Sequence, residues 1–455
     1  MKRTLISLII CFIVLHNGWT AKRLPELKDL YRLQDISEPD LSFDGKWVAY
    51  TVSKLNAKDD VSTSEIWRVS VADRSSQQIT FSEDSTSSLP KWSPDGKWLA
   101  YLSDKGEEGS MQIWLRSTQS NKTYQLTHCN GEISDFTWSP DSKKIAFIAQ
   151  QNSQNENEPI VVDRYQFKID GSGYVGKNRD HLYFIDINKQ STVQLTHGDH
   201  DEFLPAWSPD GKYIAFVTKR GREPDRHFNY DIYLIKPEPD AKEWQLTHFP
   251  GSDMNPDYES SLSWSPDSLK IAYLRSNEHQ WVYYSPNQLA IVDINNGNER
   301  LIATKDNWYY KPKWSSDGKS IYALIEENQN TYLYQILLQS GQERKLTDGL
   351  RTDVDYVIGK DKIILLTTDD THPAELFILK STLIPLTKHN QTLLEEVTFQ
   401  PTEDIRVNSF DGVKIDGLLM KPAGYQSGIL FPGFVYLHGG PCISPAMNLT
   451  SICNG

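Results

Sequence analysis

One short phrase returns along the chain and limits what the chain can fold into. It is a tryptophan followed by Ser-Pro-Asp-Gly-Lys or a close variant, and each copy leads into a short apolar run. The copies begin at Trp92, Trp138, Trp207, Trp264 and Trp314, with a diverged copy at 41–46. A repeat period of roughly 40 to 50 residues is typical of propeller blades or of units in an array.

The phrase predicts a tight turn between two strands. Proline presets the backbone for the second turn position, and glycine tolerates the positive φ that such turns require. A second phrase, Gln-Leu-Thr-His, occupies 125–128, 194–197 and 245–248. A further strand pattern, such as 231–235, lies between the two phrases. About four strands per repeat are therefore expected, which is the content of one propeller blade.

The copies give a count of blades. Six copies are recognisable, and a degenerate seventh runs from 357 to 366. The sequence therefore predicts a mainly β protein with a seven-bladed propeller over 39–401. Residues 22–38, with leucines at helical spacing, are predicted to form an N-terminal segment with a short helix.

Charge and composition limit the kinds of partner. The 455 residues carry a formal net charge of −13, which argues against a nucleic-acid partner. The histidines of the second phrase, His128, His197 and His248, recur once per blade. Blade architecture explains that recurrence better than one shared metal does. We expect no metal and no cofactor.

The N-terminus resembles a secretory signal. Lys2 and Arg3 precede an apolar stretch at 5–15 that is too short to span a bilayer. The prediction is a signal peptide at 1–21 and an exported protein, periplasmic or secreted, with no stable membrane insertion after signal removal. The alternative is a retained membrane anchor.

Two insertions interrupt the repeats. The longer one, between 149 and 181, carries Arg164, Tyr165 and Tyr174 on a predicted hairpin. These three residues are candidates for a lip over a substrate cavity, and a plain surface hairpin is the alternative. The second insertion, 219–230, holds a positively charged group that could bind a carboxylate, although a solvated loop is favoured. Its members are Arg220, Arg222, Arg226 and His227.

The pattern changes from about residue 402. Strands are predicted at 405–410 and 413–420, and a buried strand at 434–437 leads directly into His438-Gly439-Gly440-Pro441. Such a strand-end loop can supply a backbone N–H to an oxyanion hole, as in α/β-hydrolases. The alternative is an ordinary glycine turn.

Together these parts resemble the prolyl oligopeptidase family of serine peptidases. The resemblance rests on the blade phrases, Ser409-Phe410-Asp411-Gly412 and the loop at 436–441. The stretch from 163 to 174, leading to 181–183, is similar to the acylaminoacyl-peptidase and dipeptidyl-peptidase branch.

The resemblance implies a propeller that gates access to an α/β-hydrolase domain. Short peptides would be the partners, and a serine assisted by histidine and aspartate would perform acyl transfer. Gly440 and Gly439 would serve the oxyanion hole. The serine peptidase would release short N-terminal peptides or acyl-amino acids.

The sequence departs from the family after this loop. Only 14 residues follow Pro441, and no Gly-x-Ser-x-Gly motif occurs in the 455 residues. Residues 402–455 are therefore interpreted as the first strands of an incomplete hydrolase domain, and the chain as an inactive fragment without its catalytic triad. The alternative is a non-catalytic, secreted, TolB-like propeller that acts as a binding module. The sequence leaves peptide specificity and oligomeric state open.

Overall fold

Strands make up nearly all the regular structure of the protein. The computed structural model describes residues 22–437, except 59, 83, 108, 151–160, 163, 170–172, 282–283, 303–304 and 360. The predicted signal peptide and the candidates Gly439 and Gly440 lie outside the described residues. The helical segments are short: 3-10 turns at Leu27–Arg32, Pro224–Arg226, Pro256–Tyr258 and His279–Trp281, and helix α1 at Gln391–Glu396.

The first part of the chain folds into antiparallel four-stranded units. Unit 1 contains β1 (Asp35–Leu41), β2 (Trp47–Asn56), β3 (Val61–Ser70) and β4 (Ser76–Gln78). Unit 2 contains β5 (Ser87–Trp92), β6 (Trp98–Ser103), β7 (Gln112–Ser117) and β8 (Thr123–Gln125). Unit 3 contains β9 (Ile133–Trp138), β10 (Lys144–Gln150), the hairpin β11 (Lys168–Ile169) and β12 (Gly173–Tyr174), β13 (Asp180–Asp186) and β14 (Ser191–Gln194). Unit 4 contains β15 (Glu202–Trp207), β16 (Ile214–Thr218), β17 (Asp231–Ile235) and β18 (Trp244–Gln245).

The same meander continues through the second part. Unit 5 contains β19 (Gly251–Asp253), β20 (Ser263–Trp264), β21 (Lys270–Glu278), β22 (Gln288–Asp293) and β23 (Glu299–Leu301), and both β19 and β20 pair with β21. Unit 6 contains β24 (Tyr309–Trp314), β25 (Ser320–Glu327), β26 (Asn330–Leu337) and β27 (Glu343–Lys345). Unit 7 contains β28 (Thr352–Ile358), β29 (Ile363–Thr368), β30 (Glu375–Leu379) and β31 (Leu383–Pro385). A single parallel pair, Thr331 with Thr352, joins units 6 and 7.

The Ser-Pro-Asp-Gly phrase closes its turn through its own side chains. In unit 2 the Ser93 hydroxyl donates to Asp95 at 2.7 Å and accepts from the Trp98 N–H at 3.0 Å. Asp95 also accepts from the Lys97 N–H at 3.1 Å, while Gly96 takes a φ of 70°. The serine–aspartate bond recurs at Ser42–Asp44, Ser139–Asp141, Ser208–Asp210, Ser265–Asp267 and Ser315–Asp317.

The Gln-Leu-Thr phrase joins the last strand of a unit to the third. In unit 4 the Thr247 hydroxyl accepts from the Ile232 N–H at 3.0 Å, and the Gln245 amide donates to the Thr247 carbonyl at 2.9 Å. Leu246 between them is buried. The threonine bond recurs at Thr80, Thr127, Thr196, Thr347 and Thr387. The phrase is therefore architectural.

Each unit shares a hydrophobic core with the next. Side chains alternate across a strand, so Leu99 and Tyr101 of β6 pack towards unit 1, while Ala100 and Leu102 pack towards unit 3. Further cores join units 3 and 4, units 4 to 6, and units 6 and 7. Unit 7 also packs against unit 1, where Leu376 and Tyr50 belong to one buried cluster. We infer from this series that the units form a closed ring.

The ring has two faces that differ in their loops. Successive Ser-x-Asp turns touch one another: the Asp95 N–H donates to Ser142, and the Asp210 N–H donates to Ser268, each at 3.0 Å. These turns therefore share one side, which we call the turn face. Because strands in a meander alternate in direction, the connections from second to third strand lie on the opposite side. We call that side the insertion face, because the described residues of 161–175 and the segment 219–230 belong to it.

Two terminal segments meet beside units 1 and 7. The Arg23 N–H donates to the Glu396 carbonyl, and the Thr398 N–H donates to the Arg23 carbonyl, both at 2.9 Å. Asn390 accepts from the Gln34 N–H at 2.9 Å and donates to its carbonyl at 2.8 Å. The predicted short helix before the first repeat corresponds to the 3-10 turn at Leu27–Arg32.

A hairpin follows the ring. It consists of β32 (Thr402–Asn408) and β33 (Lys414–Met420), close to the two strands predicted there. Thr402 is held by Asp370, in the second-to-third-strand connection of unit 7, through its N–H at 2.9 Å and its hydroxyl at 2.6 Å. The hairpin therefore leaves the ring on the insertion face.

The predicted buried strand at 434–437 is wrong in this structure. These residues form no strand, and the side chains of Phe434 and Leu437 are 91% and 85% exposed. The physical reason is the lack of a partner, since no neighbouring strand pairs with them within the described residues. An apolar run becomes a buried strand only when such a neighbour exists.

Candidate functional site

The insertion face collects the two longest insertions of the chain. One belongs to unit 3 and ends in the short hairpin of β11 and β12, in which Lys168 pairs with Tyr174. The other belongs to unit 4 and contains the 3-10 turn Pro224–Arg226. Units 3 and 4 are neighbours in the ring, so the two insertions come together.

A partly buried ion pair holds the two insertions to each other. The Arg164 guanidinium donates to both carboxylate oxygens of Asp225, with Nε–Oδ2 at 2.8 Å and Nη2–Oδ1 at 2.5 Å. This bidentate contact lowers the pKa of Asp225 and raises that of Arg164. The Arg226 guanidinium also lies 4.6 Å from the centre of the Tyr165 ring. The unit 3 insertion is thus tied to unit 4.

The predicted cavity residues have different surroundings. Arg164 has its charge satisfied by Asp225, and its side chain is 20% exposed. Tyr165 and Tyr174 are 67% and 59% exposed. The structure therefore places Arg164 and Tyr165 in the contact between insertions and Tyr174 on the hairpin. Their role at a substrate cavity stays a prediction.

The expectation of a solvated loop at 219–230 is wrong for Arg220. Its guanidinium is bound between Glu202 at 3.2 Å and Glu243 at 2.6 Å, and it lies 4.5 Å from the centre of the Tyr233 ring. Two carboxylates and an aromatic face compensate the cation for its burial. In contrast, Arg226 has an exposed side chain.

The structure contains a polar cluster beneath the insertions that the sequence patterns did not predict. Glu202, the first residue of β15, is fully buried. It accepts from the Thr196 hydroxyl at 2.6 Å and lies 2.9 Å from the Nδ1 atom of His181. The signal that could have found it is the density of titratable residues at 197–202. The sequence patterns pointed instead to the histidines of the Gln-Leu-Thr-His phrase.

Two further carboxylates lie beside this cluster. Asp201 accepts from the Asp180 N–H at 2.9 Å. Burial, together with the neighbouring Asp201 charge, raises the pKa of Asp180 to about 6. Burial also raises the pKa of Asp201. A nearby cation stabilises the ionised form of such carboxylates.

The side chains of this face are suited to binding and orienting a ligand. Carboxylates and exposed aromatic rings can hold a cationic or apolar group. Within the described part of the chain, no three His, Cys, Asp or Glu side chains are arranged to hold a metal ion. No helix among the described residues is long and apolar enough to cross a membrane.

Comparison with known proteins points to peptidases. The family described as the dipeptidyl peptidase IV N-terminal region matches residues 174–285. A curated relative from Bacillus subtilis, the uncharacterized peptidase YuxL, is 26% identical over 92% of this chain and 67% of its own length. Dipeptidyl-peptidase 5 of Porphyromonas gingivalis is also 26% identical, over 92% of this chain and 63% of its own length.

Solved structures share the fold. An acylaminoacyl peptidase in complex with Z-Gly-Gly-Phe-chloromethyl ketone superposes with a TM-score of 0.73 at 20% identity, over 94% of this chain and 65% of its own. The β-propeller domain of the Trilobed protease from Pyrococcus furiosus gives a TM-score of 0.57 at 18% identity, over 79% and 97%. The mainly β, propeller-type fold and the resemblance to prolyl oligopeptidase-family peptidases are confirmed.

Proposed function

We propose that this chain, a relative of dipeptidyl and acylaminoacyl peptidases, forms the gating propeller of a serine-type peptidase. The enzyme would release short N-terminal peptides or acyl-amino acids from oligopeptides. The observation that carries the proposal is the position of the insertions. They are clamped together on the face from which the chain runs into the hairpin of β32 and β33.

The propeller would select substrates by size and charge. A closed ring with two insertions across one face admits extended peptides and excludes folded proteins. Asp180 and Asp201 lie at this face with raised pKa values. A peptide α-amine is a cation that would stabilise their charged forms. We therefore assign them to the amino terminus of the substrate, with Arg164, Tyr165 and Tyr174 at the rim of the cavity.

The acyl-transfer step would require groups that these 455 residues do not supply. Gly440 and Gly439 are proposed to offer backbone N–H groups to the oxyanion. No Gly-x-Ser-x-Gly motif that would identify the nucleophilic serine occurs in this sequence, and the histidine and aspartate that would assist it are not assigned either. We therefore expect the 455-residue polypeptide to bind peptides without hydrolysing them.

The second candidate is a secreted binding module without catalytic function. The carboxylates and exposed aromatic rings of the insertion face favour it, because they can bind a ligand without a catalytic serine. Both candidates share an exported location, periplasmic or secreted, which rests on the charged and apolar start of the chain. They differ in whether a free peptide amino terminus is the ligand.

Calorimetric titration tests the proposal. The probe is Ala-Ala-Ala amide, which has a free α-amine and no carboxylate, and N-acetyl-Ala-Ala-Ala amide is the comparison. We expect saturable binding of the first, weakened at least about tenfold by acetylation or by the double substitution Asp180→Asn and Asp201→Asn. The matched control is Asp210→Asn, on the turn face.

Two results would each overturn one part of the proposal, the first the binding of peptide amino termini and the second the expected inactivity. One is equal binding of the acetylated and free peptides, or none of either. The other is labelling of a serine by a fluorophosphonate together with hydrolysis of dipeptidyl-coumarin substrates by the 455-residue polypeptide. The second result would refute the expected inactivity and leave the peptidase assignment intact.

A further inference from the structure

A cavity of about 550 Å³ opens between units 5 and 6 on the turn face. The turn at this junction lacks a side chain that two other junctions have. At two other junctions a serine, Ser142 or Ser268, occupies the fourth turn position and bonds to the preceding turn. At this junction the position is Gly318, where an added Cβ would lie 3.7 Å from Pro266. Glycine also occupies this position at Gly96 and Gly211, so the walls of the groove are what distinguish this junction.

The walls of this groove differ from those of units 2 and 4. In unit 2 the equivalent positions hold Trp98 and Tyr124, with ring centres 5.8 Å apart. In unit 4 they hold Tyr213 and Trp244, at 5.1 Å. Both pairs fill the space along the sheet edge with aromatic rings.

Unit 5 has two cations at these positions. Lys270 begins β21 as Trp98 begins β6, and Arg300 pairs with Ile291 as Tyr124 pairs with Leu115. Lys270 is the cross-strand partner of Asp293. Neither Lys270 nor Arg300 forms an ion pair within 4.0 Å among the described residues. Their charges are therefore available at the cavity wall.

Apolar surface lies between and opposite the cations. Ile291, between them on the sheet, is buried, and half-buried Trp314 and Leu338 line the facing wall. This surface suits a hydrocarbon side chain, and an aromatic ring can lie against Trp314.

Carboxylates complete the lining. Asp267 and Asp317 each accept from the serine of their own turn at 2.6 Å, through one oxygen. Asp293 accepts from the Asn295 N–H at 3.0 Å, also through one oxygen. The Ser265 hydroxyl lowers the pKa of Asp267, which keeps that group charged. The cavity thus presents both signs of charge around an apolar centre.

We propose that this cavity binds a short zwitterionic peptide or amino acid with an apolar side chain. Lys270 and Arg300 take the carboxylate, the aspartates take the ammonium group, and Trp314 contacts the side chain. A purely anionic ligand would meet three aspartates, and a purely cationic one would leave both cations unused. The site lies on the face opposite the insertions and stands independently of the proposed peptidase function, although dipeptide products belong to this ligand class.

Calorimetry with the full chain tests this site. The probe is glycyl-phenylalanine, and the comparisons are its N-acetyl and its C-terminal amide forms. We expect saturable binding of the zwitterion, with each blocked form weaker by at least about tenfold, because each loses one charge-assisted contact.

A filled variant separates this site from the insertion face. In the Asp180→Asn and Asp201→Asn background, which removes the α-amine contact proposed for the insertion face, Lys270→Trp combined with Arg300→Tyr restores the aromatic pair of unit 2 and should abolish binding while the chain stays folded. Lys212→Ala, an exposed lysine of the unit 4 turn, is the matched control and should bind normally. The Asp180→Asn and Asp201→Asn double variant should also bind normally.

The proposal would be overturned if glycyl-phenylalanine did not bind. It would equally be overturned if the filled variant bound it as the native chain does, or if blocking either terminus left the affinity unchanged. Unchanged binding by the filled variant would leave the peptidase proposal standing, because the substituted residues lie on the opposite face.

Discussion

At the scale of single residues, the serine at the fourth position of a turn has two opposing effects on stability. Ser142 takes a φ of 60°, a left-handed conformation that costs a non-glycine residue about 1 kcal/mol. Its hydroxyl, however, accepts from the Asp95 N–H of the preceding turn at 3.0 Å. The repeat phrase identifies the turn, but the bond across 47 residues becomes visible only when the units stand side by side.

This balance predicts which of two substitutions at Ser142 lowers the free energy of unfolding more. Ser142→Ala should lower the free energy of unfolding by about 1 kcal/mol, because the bond is lost and the strain remains. Ser142→Gly should be less destabilising, because glycine relieves the strain. Urea unfolding measures both. A glycine variant less stable than the alanine variant would contradict this explanation.

Asp231 predicts a pH dependence. Burial raises its pKa to about 7, so the folded state holds a proton that the unfolded chain releases near pH 4. Its contribution to stability is therefore complete below about pH 4 and is lost as the pH rises to about 7. Asp231→Asn should gain stability relative to the native chain over this interval, measured by urea unfolding at several pH values.

Asp210 provides the control for this experiment. Burial acts against its ionisation, but Lys212 and Ser208 bind its carboxylate and leave its pKa below the ordinary value. Its contribution is present at neutral pH and is lost as the pH falls through that lowered pKa. Asp210→Asn should therefore be less stable than the native chain by a constant amount between about pH 4 and 7, the interval over which Asp231→Asn gains stability. Parallel curves for the two variants would refute the assignment.

At the scale of elements, local chemistry explains which predictions held. Strand positions and turns follow from proline, glycine and alternating apolar residues, which act over a few neighbouring positions. The first strands of units 2 and 4 contain a feature that these patterns miss. Leu89 and Leu204 have a φ of 54°, and the strand register shifts there. Each precedes a proline, and only the packed ring explains why such a bulge persists.

The contacts of the candidate site were likewise not predictable from local sequence. Arg164 and Asp225 are separated by 61 residues, and nothing local indicates that they pair. Arg220 is partly buried where Glu202 of β15 and Glu243, which precedes β18, reach it. The insertions themselves were visible as interruptions of the repeat, whereas their contact depends on units 3 and 4 being neighbours.

The insertion clamp gives a prediction at this scale. Asp225→Asn removes the charge that Arg164 requires, so residues 161–175 should exchange amide hydrogens and be cleaved by protease faster than in the native chain. Glu223→Gln is the control, because its pair with Arg226 is exposed and contributes little. Equal protection of the segment in native and Asp225→Asn chains would show that the pair is not a clamp.

At the scale of the whole molecule, closure of the ring depends on side chains. No strand of unit 1 pairs with a strand of unit 7 in the described residues, so their shared core and the terminal contacts hold the junction. Asn390, which is buried, bonds to both the N–H and the carbonyl of Gln34.

Asn390→Ala should therefore lower the free energy of unfolding by about 2 kcal/mol, because two bonds are lost and buried groups remain unpaired. Hydrogen exchange should accelerate first in units 1 and 7. Asn295→Ala, on an exposed turn, is the control. Uniform acceleration around the ring would argue against a local junction.

The location of a bound peptide tests the proposed role of the insertion face most directly. Hydrogen exchange of the 455-residue polypeptide, with and without saturating Ala-Ala-Ala amide, should show protection in 161–181 and 196–230. The protection should be absent from the Asp180→Asn and Asp201→Asn double variant. Protection confined to the turn face, or no protection anywhere, would contradict the assignment of this face to peptide binding.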